Sequence, residues 1–281
     1  MIKLFLTILL MMSYQATFGQ KSLDQADFIK DFQSKGDDAE WLVEYDMIAW
    51  WTSDSVSAQP IESRRNIGKE WFCFQSEDDV WHAVYGKYAD SKYTVAFHYI
   101  VDSTWKVKRS YEVVDTAILN THARAIITSK EKMGNIPDSI GLAMNQYIRK
   151  NPDQTLQVWI FPAFQPNSYA VYGGEYVYTI SSDGTKILKD ESYYQGKFKA
   201  YLVDNNPKEI VLNYTELDYP TIGGVFYVWY YKQYFSNILL QTKYYATTAF
   251  KTDNTGYTWL HVDKSENLNA EKGGKKKKKK E

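Results

Sequence analysis

Residues 70–101 read EWFCFQSEDDVWHAVYGKYADSKYTVAFHYIV, and they indicate the fold class more firmly than any other part of the chain. Apolar and aromatic residues alternate here with polar ones at a period of two, which is typical of half-buried β-strands. Polar interruptions at 76–79 and 89–91 divide the stretch into three segments of strand length, 70–75, 80–88 and 92–101. Consecutive strands joined by short polar turns predict an antiparallel three-stranded meander.

Helical patterns flank this meander on both sides. Before it, apolar residues recur at a spacing of three to four over residues 37–56, where Asp37 and Asp38 are the expected N-terminal caps. A shorter helix is expected at 22–33. After the meander, residues 113–130 and 138–150 show the same period, and the second of these segments begins with a capping acid.

Residues 151–263 are predicted to be almost entirely β-structure, with turn signals at 182–184 and 252–256. The sequence therefore predicts an α+β fold: N-terminal helices with a short antiparallel meander, two middle helices, then a larger, antiparallel, strongly twisted sheet. The expected organisation is residues 20–150 for the helices and meander, 151–263 for the β-rich region and 264–281 for a disordered tail. The strand candidates in the second region are 156–161, 170–180, 186–189, 198–203, 209–217, 224–235, 239–250 and 258–262.

The first nineteen residues have the order of a secretory signal peptide. Lys3 gives a positive start, nine apolar residues follow at 4–12, and small residues precede Gln20. Nine apolar residues are too few to span the hydrocarbon core of a bilayer. We therefore predict cleavage after Gly19 and an exported chain, periplasmic or secreted. No cysteine lies at the end of the apolar run, where a lipid would be attached, so no lipid anchor is expected.

Charge is unevenly distributed along the chain. The whole sequence has 33 basic and 34 acidic residues, but residues 270–281 hold seven of the lysines and only two of the glutamates. The rest of the chain is therefore acidic, which argues against nucleic acid as a partner. The tail is predicted to be a solvated arm, with loose contact to an anionic surface as its alternative role. The lysines concerned are Lys275, Lys276, Lys277, Lys278, Lys279 and Lys280.

The single cysteine, Cys73, excludes an internal disulfide, so core packing must hold the fold together. Its aromatic neighbours favour a buried apolar role over a nucleophilic one, because no activating base lies beside it. Aromatic residues make up 16% of the chain, including 24 tyrosines. That composition suits extensive sheet and an exposed stacking surface.

A pair of histidines forms the candidate metal site. If Trp81 pairs with Tyr99 in the meander, His82 lies directly opposite His98, and Asp102 continues the same face. Opposed strand residues have Cβ atoms about 5 Å apart, so that both imidazoles could bind one divalent cation. The alternative is two half-exposed histidines bonded to water or hydroxyls, and a register shift of one residue would separate them.

Glu175 is the candidate catalytic residue, a general acid or base. It follows Gly173 and Gly174, and paired glycines in a strand mark a bulge or a close approach by a ligand. A purely structural bulge is the favoured interpretation, and Gly223 with Gly224 permits the same two readings. The sequence contains no nucleotide-binding loop and no nucleophile elbow.

Tyr227, Trp229 and Tyr231 are the candidate ligand-binding residues. They belong to the aromatic run at 226–235, in which both faces of the expected strand carry rings. Coverage by other layers on both sides is the favoured interpretation, and a stacking platform for sugars or other flat ligands is the alternative.

Taken alone, the sequence favours an exported, soluble, non-catalytic envelope protein that binds a glycan, a small ligand or a protein partner through an aromatic-rich sheet. The alternative is a hydrolase, either metal-assisted through His82, His98 and Asp102 or carboxylate-based through Glu175. A third alternative is a purely structural interaction protein. No cofactor is expected apart from a divalent metal in the hydrolase alternative.

Overall fold

The computed structural model describes residues 23–135, 141–203, 208–252 and 256–264. The predicted leader, the lysine run and most of the turn at 252–256 lie outside them. The described residues form four helices together with thirteen strands, so the predicted α+β class is confirmed. Among these residues, no helix combines the length and the apolar character needed to cross a lipid bilayer.

Helix α1 spans Gln25–Ser57, so one long helix replaces the two shorter ones that the sequence predicts. Asp24, rather than Asp37, caps it, and its carboxylate accepts a hydrogen bond of 2.8 Å from the backbone amide two residues on. The gap between the two predicted helices contains Gly36. This glycine is buried inside α1, where an added Cβ would lie 3.6 Å from the indole nitrogen of Trp259. A side chain at this position would make only ordinary contact, so Gly36 lies within the continuous helix and does not end it.

The meander forms as predicted and gains a fourth strand. Its strands are β1 (Phe72–Gln75), β2 (Trp81–Ala89), β3 (Lys92–Val101) and β4 (Val107–Arg109), which are neighbours in that order and pair antiparallel. A short helix α2 (Ile61–Arg64) precedes them.

The register between β2 and β3 differs from the predicted one by two residues, since Ala83 rather than Trp81 pairs with Tyr99. The turn contains two residues, Asp90 and Ser91, both with positive φ, instead of the expected three. A bulge farther along leaves one residue of β3 unpaired. The shorter turn and the bulge each shift the pairing by one residue. Together the two shifts leave every paired side chain on the face of the sheet that was predicted for it.

Helix α3 spans Thr116–Met133, close to the predicted helix at 113–130. The next predicted helix, at 138–150, is wrong: its last seven residues form strand β5 (Met144–Lys150), and its capping acid, Asp138, lies outside the described residues. Both faces of β5 are covered, so Tyr147 and Ile148 are buried side by side. Consecutive buried residues hide the period of two, which explains why the segment resembles a helix.

A second sheet contains β5, β6 (Leu156–Pro162) and β7 (Tyr169–Ile180) in sequence order. Both β8 (Ile187–Asp190) and β9 (Tyr193–Leu202) pair with β7, at different parts of its length. The register of β7 against β9 shifts between Tyr172 and Gly174, and Gly173 has a φ of 107°. The predicted bulge at Gly173 and Gly174 is therefore confirmed.

A third sheet contains β10 (Glu209–Tyr214), β11 (Asn237–Thr242), β12 (Tyr245–Thr252) and β13 (Gly256–Asp263). The prediction of one larger, wholly antiparallel sheet is thus wrong in two respects. There are two sheets after α3, and β10 pairs with β11 in parallel. The predicted strand at 239–250 is divided between β11 and β12.

Helix α4 (Ile222–Tyr231) connects the two parallel strands and occupies most of the predicted strand at 224–235. The Thr221 hydroxyl caps it by accepting a hydrogen bond of 3.1 Å from the Gly224 amide. Helix α4 is buried over most of its surface, so its sequence has strand-forming aromatics and no strongly amphipathic period. Gly223 and Gly224 therefore lie in the first turn of a helix, and the strand bulge predicted for them is wrong.

Two hydrophobic clusters hold these layers together. The larger lies among α1, α4 and the sheets, and it takes residues from both sides of position 150, such as Tyr45 and Tyr227. The smaller lies under α3 and includes Ile126 and Ile148. Cys73 is fully buried in the larger cluster, and burial raises the pKa of its thiol well above the ordinary value.

The turn between β7 and β8 docks on α3 through Gly184, which gives a stability prediction. Gly184 has a φ of 79°, and an added Cβ would collide with the carbonyl oxygen of Thr121 in α3. We expect Gly184→Ala to lower the free energy of unfolding by about 2–4 kcal/mol, through backbone strain and overpacking together. Gly196→Ala is the matched control, because its φ is 80° but no atom lies within 4 Å of the new Cβ. It should cost only about 1 kcal/mol in urea unfolding, and equal losses would contradict the docking argument.

Candidate functional site

A buried carboxylate, Asp46, lies on the core-facing side of α1 with 5% of its surface exposed. Its Oδ1 accepts hydrogen bonds from the Asn145 amide at 2.7 Å and the Tyr147 hydroxyl at 2.8 Å. Its Oδ2 accepts one from the Tyr230 hydroxyl at 2.8 Å. Three neutral donors from β5 and α4 therefore fix this carboxylate in one orientation.

In the part of the chain that the structure describes, no cation pairs with this carboxylate. Among the described residues, no lysine, arginine or histidine forms an ion pair with Asp46, and all the groups that favour its charged form are neutral. Burial raises the pKa of Asp46 above its usual value, although the three hydrogen bonds act in the opposite direction. A carboxylate that is buried despite the cost of desolvation and that lies beside a cavity is typical of functional sites.

A pocket of about 310 Å³ opens over Asp46, and we name it the Asp46 pocket. Half of its lining residues are aromatic, and of these Trp50 at one side is 51% exposed, whereas Tyr85 is 5% exposed. Ser53, Asn145 and the tyrosine hydroxyls add polar groups to Asp46, so the pocket combines ring surface with convergent polar groups, as small-molecule sites do. The lining residues are Asp46, Ala49, Trp50, Ser53, Trp71, Tyr85, Asn145, Ala163, Phe164 and Tyr230.

The alternation of β5 places the donors on Asp46. Asn145 and Tyr147 are two residues apart, so both side chains point from the same face of the strand towards α1. Arg149 continues that face and donates a hydrogen bond of 2.6 Å to Asp38, two helical turns before Asp46. The register between β5 and α1 is thus held at two positions along the helix.

Glu175 lies at a different place, between β7 and the N terminus of α4. One carboxylate oxygen accepts a hydrogen bond of 2.5 Å from the Gly223 amide, one of the free amides in the first turn of α4. Its exposed fraction is 4%. Desolvation raises the pKa of Glu175 to about 7, while hydrogen bonds from Thr221 and Gly223 and the charge of Lys35 oppose the shift.

Glu175 also reaches the inner end of an open cleft of about 430 Å³. The cleft contains both signs of charge, including Lys35, Asp38, Arg149 and Glu191. Lys35 pairs with Asp31, and Arg149 pairs with Asp38, so these cations are already engaged.

His82 and His98 lie close together, but they are diagonal neighbours on β2 and β3 and not directly opposite each other as predicted. His82 Nδ1 lies 2.9 Å from His98 Nε2, and the ring centroids are 5.1 Å apart. His98 Nδ1 lies 3.3 Å from the Glu112 carbonyl oxygen, which makes it the donor there and leaves Nε2 to accept from His82. Burial lowers the pKa of both imidazoles. The facing nitrogens thus share a proton instead of presenting two lone pairs to one cation.

Asp102, the third predicted metal ligand, has other partners. Its carboxylate accepts hydrogen bonds of 2.6 Å from Lys108 and 2.9 Å from the Thr104 amide. The Lys108 ammonium is the main reason that the pKa of Asp102 is held well below its usual value. Within the described ranges, no group of three or more His, Cys, Asp or Glu side chains is arranged to hold a metal ion.

The three predicted ligand-binding aromatics lie on α4 and do not form one exposed face. Tyr227 and Tyr231 are each 2% exposed, and their rings lie 4.6 Å apart inside the main core. Trp229 is half-buried, stacks on Trp259 at 5.0 Å and carries the Lys232 ammonium 4.0 Å above its ring. Their neighbour Tyr230 is the one that reaches the Asp46 pocket.

Sequence reasoning did not identify Asp46, although the sequence contains a signal for it. Asp46 follows Tyr45 on the buried stripe of α1 that also contains Leu42 and Ala49. An acidic residue at a position where the helical period demands an apolar one is a marker of a functional site. Its partners on β5 were hidden because that segment resembles a helix.

Comparison of the chain with protein-family models, with curated proteins and with solved structures gives no match. The geometry of the Asp46 pocket is therefore the basis for a functional proposal.

Proposed function

We propose that this chain is an exported, non-catalytic ligand-binding protein that holds a small ligand in the Asp46 pocket. One observation carries the proposal: a carboxylate that is 5% exposed, held by three neutral donors, lies in an aromatic pocket of about 310 Å³. A pocket of this size and composition suits a small organic molecule, with the polar group giving orientation.

Export is the part of the proposal that rests on sequence alone. The order of residues 1–19 supports it, since a positive start, a short apolar run and small residues precede Gln20. The lysine run at 275–280 supports loose contact with an anionic envelope surface.

Binding at Asp46 has better geometric support than carboxylate-based hydrolysis at Glu175. One oxygen of Glu175 is occupied by the Gly223 amide in the first turn of α4, and Lys35 and Arg149, the cations of the cleft that it reaches, are already paired. A general acid or base must reach the proton that it transfers. Capping of α4 accounts for the position of Glu175 without a reaction.

Ser53 offers a way to test the pocket without disturbing the core. It is half-buried on α1 and lines the pocket. We expect a panel of sugars, amines and aromatic metabolites to contain a ligand that raises the melting temperature of the wild-type protein, because binding to the folded state stabilises it. Ser53→Phe should fill the pocket and abolish that rise.

Ser57→Phe is the matched control, because Ser57 is exposed one turn further along α1 and does not line the pocket. It should leave the ligand response intact. Ligands that stabilise Ser53→Phe as strongly as the wild-type protein would contradict binding at this pocket, and so would a panel without any stabilising compound.

A further inference from the structure

We infer that the ligand group that reaches Asp46 is an organic ammonium ion, such as a quaternary or protonated amine head group. This inference rests on the proposed function, since it names the ligand class of the same pocket. Three observations carry it. Asp46 has no cationic partner among the described residues, the hydroxyl groups of the pocket already form hydrogen bonds, and three acceptor positions of the Asp46 carboxylate are occupied.

The first observation is the charge balance of the pocket. Among the described residues that line the pocket, Asp46 is the acidic one, and no lysine or arginine lines it with Asp46. A neutral ligand that closed the pocket would remove the remaining water from this carboxylate without replacing its countercharge, which is unfavourable. A cationic group supplies the countercharge as it excludes the water.

The second observation is that the aromatic walls offer rings rather than hydroxyl groups. The Tyr230 hydroxyl is bonded to Asp46, and the Tyr85 hydroxyl lies 2.8 Å from Thr52 Oγ1 and 3.1 Å from the Ala49 carbonyl oxygen. Trp50, Trp71 and Phe164 supply the other rings, and the Ser53 hydroxyl donates a hydrogen bond of 2.8 Å to the Trp50 carbonyl oxygen. Aromatic rings around a negative charge are the surroundings that quaternary ammonium groups favour, whereas sugars need many hydrogen-bond partners.

The third observation argues against an inorganic cation. Three of the roughly four lone-pair positions of Asp46 already accept hydrogen bonds. Calcium takes about six to eight oxygen ligands, and the aromatic walls cannot provide them. A weakly hydrated organic cation needs no such set of ligands, because charge and ring contacts suffice.

Choline and its uncharged analogue 3,3-dimethyl-1-butanol test the inference directly. The two molecules have nearly the same shape, and a quaternary carbon in the alcohol replaces the quaternary nitrogen. By isothermal titration calorimetry we expect choline to bind at least about tenfold more tightly than the alcohol. Equal affinities, or no binding of choline at millimolar concentration, would overturn the inference.

Two variants test whether the preference for choline over the alcohol arises in the Asp46 pocket. Asp46→Asn keeps the shape and two of the acceptor contacts but removes the charge, so the preference for choline should fall to about that of its neutral analogue. Trp50→Leu provides a second route if the first variant does not fold, because Trp50 is half exposed and contributes little to the core. It should weaken choline severalfold while leaving the alcohol nearly unchanged. A retained preference in both variants would overturn the inference.

The two proposals fail in different ways. If sugars or other neutral compounds stabilise the protein and Ser53→Phe abolishes this, while choline and tetramethylammonium do not bind, the pocket is a binding site and the ammonium inference is wrong. If choline binds equally well to Ser53→Phe, both proposals are wrong, because its site is then elsewhere.

Discussion

Tyr45→Ala is expected to lower the free energy of unfolding by about 5 kcal/mol, a large share of the stability of an ordinary domain. Tyr45 is fully buried, and its ring lies 5.3 Å from that of Tyr147 and 5.8 Å from that of Trp81. Its hydroxyl accepts a hydrogen bond of 2.8 Å from the backbone amide of Cys73. The substitution therefore leaves a cavity between α1 and two sheets and also leaves a buried amide without an acceptor. Urea unfolding followed by tryptophan fluorescence measures the loss.

Tyr45→Phe separates the two contributions. It keeps the ring and removes only the acceptor for the Cys73 amide, so we expect a loss of about 1–3 kcal/mol. A phenylalanine variant as stable as the wild-type protein would mean that the amide finds another partner. An alanine variant that loses less than the phenylalanine variant would show that this contact does not hold α1 on the sheets.

The second large effect is a pH dependence that Glu175→Gln should reveal. The pKa of Glu175 is about 7 in the folded protein and close to the ordinary 4.5 in the unfolded chain. Between these values the folded state binds the extra proton, so the free energy of unfolding falls as the pH rises through this window. The loss amounts to about 3 kcal/mol and is complete above pH 7. Glutamine cannot ionise but keeps an acceptor for the Gly223 amide, so the variant should avoid this loss.

His122 opposes this dependence in the wild-type protein. Burial lowers the pKa of His122 to about 4, so its contribution to stability is lost as the pH falls from about 6.5 towards 4. The two groups titrate over the same window with opposite signs, and their sum in the wild-type protein is small. The difference between Glu175→Gln and the wild-type protein isolates the glutamate.

Urea unfolding at a series of pH values from 4 to 8 measures that difference. It should grow by about 3 kcal/mol in favour of the variant as the pH rises. Glu191→Gln is the control, since Glu191 lines the same cleft but is exposed and paired with Lys189. Its difference from the wild-type protein in free energy of unfolding should stay the same across the pH series. If the difference for Glu175→Gln also stays the same, water reaches the Glu175 carboxylate.

The sequence predicts those elements whose type is settled together by period, residue types and turn signals. Helix α3 has an apolar stripe, and β2, β3, β6 and β7 are β-branched and aromatic runs of strand length, so these elements were predicted close to their observed limits even where both faces are buried. Prediction fails where burial on both sides hides the period and the residue types or length favour the wrong element. Tyr147 and Ile148 made β5 resemble a helix, and the buried aromatics of α4 made it resemble a strand.

The candidate sites were predicted where their elements were predicted, and missed where the element type was wrong. His82 and His98 were placed on one face because the parity of the meander is readable from alternation, whereas the predicted register, which set them directly opposite each other, was wrong. The partners of Asp46 come from β5 and α4, the two elements whose type was predicted wrongly, and they are about 100 and 184 positions away along the chain. Contacts of such separation depend on packing between layers, which local periodicity does not encode.

The two offsets between β2 and β3 constrain how this chain can diverge. An insertion or deletion of one residue in the turn, taken alone, would turn β3 over, so that rings such as Phe97 and Tyr99 would leave the main core and His98 would take their face of the sheet. Such a change becomes tolerable only together with a compensating gain or loss at the bulge. Descendants of this sequence should therefore vary in length at these two points in pairs, or at neither.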